Sequence, residues 1–188
     1  GNGVTTIGES AFSDCVSLTS IIIPDSVTSI ARYVFSNCSS LTNITIPDSV
    51  TSIYRYAFAD CQRLTSITIP DSVTYIADSV FSGCESLTSV TMGDSVKFIG
   101  DSAFYYCYNL TSITIPDSVT SIGKEAFYRC SGLKDFTMPQ SVTSIGEYAF
   151  YECCSIESVV IPNGITSVAD HAFHGCSSLK SITFPEEL

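Results

Sequence analysis

A 23-residue unit recurs eight times without insertion or deletion, close to the form VTSIGxxAFxxCxSLTSITIPDS. The copies begin at Val4, Val27, Val50, Val73, Val96, Val119, Val142 and Ile165. A fixed period of this length specifies a solenoid, in which each unit buries its apolar residues against its neighbours. Counting from position 1 at Val4, position 9 is Phe in all eight copies, from Phe12 to Phe173, and position 12 is Cys in all eight, from Cys15 to Cys176. Positions 1, 4, 8, 15, 18 and 20 are nearly always aliphatic. These positions are expected to point inward and form ladders along the stack.

The end of the unit, as in Leu64 to Pro70, alternates β-branched and polar residues. Such alternation predicts a strand with Ile67 and Ile69 inward and Ser66 and Thr68 outward. Strands are expected at Ser20–Ile23, Asn43–Ile46, Ser66–Ile69, Ser89–Met92, Ser112–Ile115, Asp135–Met138, Ser158–Ile161 and Ser181–Phe184. Equivalent strands of successive units run parallel and form one sheet. All seven prolines fall at position 21, where the missing N–H ends the pairing. In Gly-x-x-Ala-Phe-x-x-Cys, positions 8, 9 and 12 share a face at helical spacing. That spacing predicts a turn or two of α- or 3₁₀-helix packed on the sheet. Strands crowd closer than helical turns, so the sheet is expected on the concave face of a right-handed horseshoe, an α/β solenoid.

The pattern L-x-x-I-x-I-P followed by V-x-x-I-G-x-x-A-F-x-x-C resembles the BspA-like, or Treponema pallidum-type, leucine-rich repeat across essentially the whole chain. The Asn ladder of typical leucine-rich repeats is missing, and Ser26, Ser49 and Ser72 stand in its place. Members of this family are mostly cell-surface or secreted proteins of bacteria and some parasitic protists, and some are adhesins for host proteins. The resemblance implies a non-enzymatic surface module binding a protein or glycan. A structural spacer displaying another domain of a longer protein, and the docking domain of an enzyme, are the other readings.

Residues 1–188 are expected to form one solenoid domain, a fragment of a longer protein. Gly1 stands where the repeat puts Pro, as a remnant of tag cleavage would. Neither end carries an evident polar cap, so end-to-end self-association of the fragment is expected. The 19 acidic against 8 basic side chains give a net charge of −11. This argues against nucleic acid and anionic membranes as partners. No apolar run approaches the ~20 residues of a membrane span.

One cysteine per unit, with no C-x-x-C pair, lacks zinc-ribbon spacing. The eight ladder cysteines are expected to be buried free thiols. Cys154, the ninth, sits beside Cys153 at an outward position and is the expected reactive thiol. His171, His174 and Cys176 are the only metal-ligand types that cluster, but the histidines face outward and the cysteine inward, so neither a metal nor a cofactor is expected. With no other histidine in the chain, a Ser/His or Cys/His nucleophile is not assembled. Asp25, Asp48, Asp71, Asp94 and Asp117 stack at position 22, as turn-forming residues or as a calcium row. Asn37, Asn43 and Asn109 head glycosylation sequons.

Outward strand positions form a Ser/Thr carpet, interrupted at Ile22, Asn43, Asp135 and Val160. Aromatic departures are more informative. Tyr105, Tyr128 and Tyr151 occupy outward position 10 in three consecutive units, with Tyr106, Tyr108 and Tyr148 nearby. Tyr75 with Phe98, and Tyr33 with Tyr54 and Tyr56, form two further groups. Tyrosine combines large contact area with a polar tip. The six tyrosines around position 10 are therefore the candidate ligand-binding residues, and packing of the rings against one another is the other reading. Catalytic residues are not assigned.

Overall fold

The computed structural model describes residues 3–185. Each repeat contributes up to two short strands. Those at positions 3–4 are β1 (Ser29–Ile30), β2 (Ser52–Ile53), β4 (Tyr75–Ile76), β6 (Phe98–Ile99), β8 (Ser121–Ile122) and β10 (Ser144–Ile145). Those in the Leu-to-Pro segment are β3 (Ser66–Ile69), β5 (Ser89–Met92), β7 (Ser112–Thr114), β9 (Asp135–Phe136), β11 (Ser158–Val160) and β12 (Ser181–Thr183). All pairing is parallel, in the orders β3-β5-β7-β9 and β10-β8-β6-β4, with β1-β2 and β11-β12 as separate pairs. Register follows the repeat: Ser66 faces Ser89 and Ile67 faces Val90. In β3 and β5 the outward residues are exposed and the inward ones buried, as alternation requires.

The first two expected strands contract to a single bridge, Ile22 to Thr45, in coils where pairing has a neighbour on only one side of the first. The sheet at positions 3–4 is not signalled by the sequence. A two-residue strand has no alternation to detect, and only stacking of identical coils reveals it.

The expected helical turns are absent among the described residues. Positions 7 and 11 instead take left-handed backbone in every unit, with φ between 52° and 60° at the fourteen non-glycine residues. Gly83 and Gly175 complete the set at 72° and 75°. Two left-handed residues four apart cannot continue a right-handed helix. They reverse alternate peptides, so the N–H groups of positions 7, 9 and 11 point at the next coil. Phe81 N–H donates to Ala103 O at 2.9 Å, Ser79 to Asp101 O at 2.8 Å and Gly83 to Tyr105 O at 2.7 Å. The intervening N–H groups close tight turns within the unit, such as Ser82 to Ser79 O and Cys84 to Phe81 O. Inter-coil hydrogen bonding thus offsets the cost of the left-handed residues.

One hydrophobic core runs the length of the stack. The six inner rungs of the phenylalanine ladder are fully buried, Phe12 and Phe173 only partly. Successive rings stack with centroids 5.2 to 5.7 Å apart. The cysteine ladder is more than small apolar filler. Each thiol from Cys38 to Cys176 donates to the phenylalanine carbonyl of the preceding unit, as Cys107 Sγ does to Phe81 O at 3.2 Å. Serine at position 23 forms a ladder of its own: Ser49 Oγ donates to Val27 O at 2.7 Å, and Ser72, Ser118 and Ser141 repeat the bond.

Candidate functional site

Position 10 lies on the turn between the two left-handed residues, with its side chain directed away from the core. One coil follows another at about 4.8 Å, the spacing of paired strands, so identical outward rings stack face to face. Tyr105 and Tyr128 have centroids 4.8 Å apart, Tyr128 and Tyr151 4.7 Å, and Tyr151 and His174 5.0 Å. Tyr106, at left-handed position 11, leans on Tyr105 at 4.2 Å and on Tyr108 at 5.3 Å. At position 7, Tyr148 stacks on His171 at 4.8 Å and touches Tyr151 at 5.7 Å. All six candidate tyrosines therefore belong to one continuous, half-buried ring surface.

His171 and His174 complete that surface. Their positions, 7 and 10, are those of Tyr148 and Tyr151 one unit earlier, a signal present in the sequence but overshadowed by their value as metal ligands. The two rings meet edge to face at 5.6 Å. Cys176 points away from them, its thiol donating to Phe150 O.

Charge is set into the rings. The Arg129 guanidinium lies 5.7 Å from the Tyr106 centroid and 5.8 Å from that of Tyr128, with Nε 2.7 Å from Glu152 Oε2. Lys124 Nζ lies 6.0 Å from the Tyr148 centroid and 3.3 Å from Glu147. Burial, and then Tyr106 beside it, pushes the Tyr105 phenol up. Burial also raises Tyr128, against the opposing charge of Arg129. Both phenols stay neutral hydrogen-bond donors across the physiological range. The surface offers flat apolar area, phenolic tips and a guanidinium held over rings, the equipment of a protein interface.

The BspA type leucine rich repeat region matches this chain in six copies, over residues 1–111 and 97–188. The chain belongs to the BspA-type leucine-rich repeat family. Among solved structures of such repeats, a Treponema pallidum leucine-rich repeat protein is 28% identical with a TM-score of 0.70, over 88% of this chain and 69% of that one. A Bacteroides ovatus leucine-rich repeat protein is 30% identical with a TM-score of 0.70, over 98% of this chain and 59% of that one. A leucine-rich cell surface protein of Faecalibacterium prausnitzii is 25% identical with a TM-score of 0.54, over 99% of this chain and 78% of that one. No protein of curated function matches the chain in sequence.

The remaining sequence candidates separate clearly. In the position-22 aspartate row, the Asp71 carboxylate accepts the Asp94 N–H at 2.9 Å, a structural bond between coils. Cys154 is half-exposed, as expected of an outward thiol, and donates to Glu152 O at 3.3 Å. Cys15 is also half-exposed, contrary to the expectation that Cys154 alone is accessible, because no described coil stacks on its outer side.

Proposed function

We propose that the chain is a non-enzymatic binding module, one repeat domain of a longer surface or secreted protein, and that a protein partner docks on the ring surface of units five to eight. The observation that carries this reading is the continuous stack Tyr105–Tyr128–Tyr151–His174 with Tyr106, Tyr108, Tyr148 and His171 around it. The first four units carry Ser or Ala at position 10, so the repeat itself does not require these rings. A cell-surface relative with the same coils supports the location.

The stacking also favours a second reading, a spacer stiffened by its own aromatic ladder. The triple variant Tyr105→Ser, Tyr128→Ser, Tyr151→Ser separates the two. It removes three ring stacks, worth about 0.5–1.5 kcal/mol each, so its melting temperature falls. The double variant Tyr33→Ser, Tyr56→Ser removes a comparable stack, 4.8 Å between centroids, in the other half of the molecule. After a screen of extracellular host proteins yields a ligand, binding is measured well below both melting points. The triple variant is expected to lose at least about tenfold in affinity, about 1.4 kcal/mol, and the double variant none. Equal retention by both variants moves the site to the Ser66/Thr68 sheet face or leaves the spacer reading.

A further inference from the structure

A second group of departures from the repeat converges far from the ring surface, in units two to four. Position 5 is Gly or Ala in every unit but one, and the exception is Tyr54. Position 6 is a carboxylate in five units, and Arg only at Arg32 and Arg55. Position 3 is Ser or Thr except at Tyr75 and Phe98. In a scaffold of near-identical coils, residues the repeat does not call for are the informative ones. These four, Arg32, Tyr54, Arg55 and Tyr75, line one groove of about 500 Å³, with Thr51 and Thr74 between them.

Tyr54 and Arg32 stand in successive units, at positions 5 and 6. Tyr54 is 49% exposed and Tyr75 41% exposed. Asp78 positions the opposite wall. Its Oδ2 pairs with the Arg55 guanidinium and its Oδ1 accepts the Tyr75 hydroxyl at 2.8 Å and the Asp101 N–H at 3.1 Å. Arg55 is thereby neutralised. Arg32 makes no ion pair among the described residues, and its guanidinium rests 5.8 Å from the Tyr33 ring.

The groove thus presents two exposed aromatic faces, the Thr74 hydroxyl, the Thr51 hydroxyl as an acceptor while it donates to Thr28 O at 3.4 Å, and one free guanidinium. β2 pairs only with β1, and β4 faces its other side without a strand ladder, their Cα atoms within 8 Å. A peptide strand inserted between them needs two strand spacings, about 9.6 Å, so an extended peptide has no room to pair there. A sugar ring matches better, with a flat apolar face for tyrosine and hydroxyls for the threonines. A planar guanidinium pairs bidentately with a carboxylate, and one unpaired cation balances one singly charged group. The volume lies within the range of small-molecule sites, about 300–1,000 Å³. The overall charge of −11 opposes an anion at long range, but salt screens that field beyond about 8 Å at physiological ionic strength. We propose that this groove is a separate ligand site for a carboxylated sugar residue, a uronic or sialic acid, of a glycan.

Calorimetric titration with sialyllactose and with a glucuronate-terminated disaccharide, against lactose and a sulfated disaccharide, tests the site. At least one carboxylated probe is expected to bind saturably, with lactose and the sulfated sugar at least tenfold weaker. Tyr54→Gly and Arg32→Asp each install a residue the repeat uses elsewhere, so they preserve the fold. Each is expected to weaken the carboxylated probe at least tenfold, while Tyr128→Ser leaves it unchanged. Failure of both carboxylated probes to saturate at millimolar concentration overturns the proposal. So does preference for the sulfated sugar, or binding that survives the two substitutions combined.

Discussion

Truncating a central rung of the phenylalanine ladder tests what holds the coils together. Phe81 is fully buried and stacks on both neighbours, with centroids 5.5 Å from Phe58 and 5.5 Å from Phe104. The hydrogen bonds around it involve only backbone at this residue: its N–H donates to Ala103 O and its carbonyl accepts the Cys107 thiol. Phe81→Ala leaves those bonds in place and removes only the ring. The expected cost is therefore that of a buried aromatic truncation, about 3–5 kcal/mol. Phe173 is partly exposed and has one stacked neighbour, Phe150 at 5.2 Å. With one ring pair lost in place of two and less area buried, Phe173→Ala is expected to cost about half as much. The chain has ten tyrosines and no tryptophan, so urea unfolding is followed by circular dichroism with tyrosine fluorescence as a second probe. Stability in a solenoid is a sum over neighbouring units, so the central variant should also loosen the coupling between the two halves and lower the urea m-value. Equal costs for Phe81→Ala and Phe173→Ala, or a cost below about 2 kcal/mol at Phe81, would refute a ladder of equivalent, mutually supporting rungs.

Burial raises the Cys38 and Cys176 thiols from 9.0 to about 11 and those of Cys61, Cys84, Cys107, Cys130 and Cys153 further. A raised thiol stabilises the fold fully below the ordinary thiol range, and that contribution is lost as pH climbs toward the folded value. For a fully buried thiol the loss is about 1.4 kcal/mol per pH unit. The melting temperature should therefore fall steeply above pH 9, and Cys107→Ala should fall less steeply than the parent; parallel curves would contradict this. Native thiol titration is expected to find two accessible groups, Cys154 and Cys15, against nine after unfolding; rapid labelling of the inner ladder would show that the coils open. At Ser102, φ is 53°. Both Ser102→Gly and Ser102→Val lose the hydroxyl contact with Glu125, so their difference isolates the backbone: Val should melt lower by about 1–2 kcal/mol, and equal stability would remove the strain account.

The repeat period, the inward ladders, the parallel pairing and the one-residue register of Ser66 on Ser89 were all legible in the sequence, because each follows from identical units stacked without insertions. The clustering of Tyr105, Tyr128 and Tyr151 was legible for the same reason: equal position in adjacent units means adjacency in space. What local pattern reading could not supply was the conformation between the strands. The spacing of Ala, Phe and Cys satisfies a helix and a chain of alternating turns equally well. Inter-coil hydrogen bonds from positions 7, 9 and 11 decide between them, and those bonds exist only once a second coil is in place. The same limit hid the thiol-to-carbonyl ladder and the short sheet at positions 3–4. It also hid the groove, whose Arg32 and Tyr54 belong to different coils and meet only through stacking. Period and chemistry along the chain fixed which residues stack; the tertiary structure alone decided which backbone donors and side chains face one another across the coils, since hydrogen bonds and grooves are properties of pairs of units.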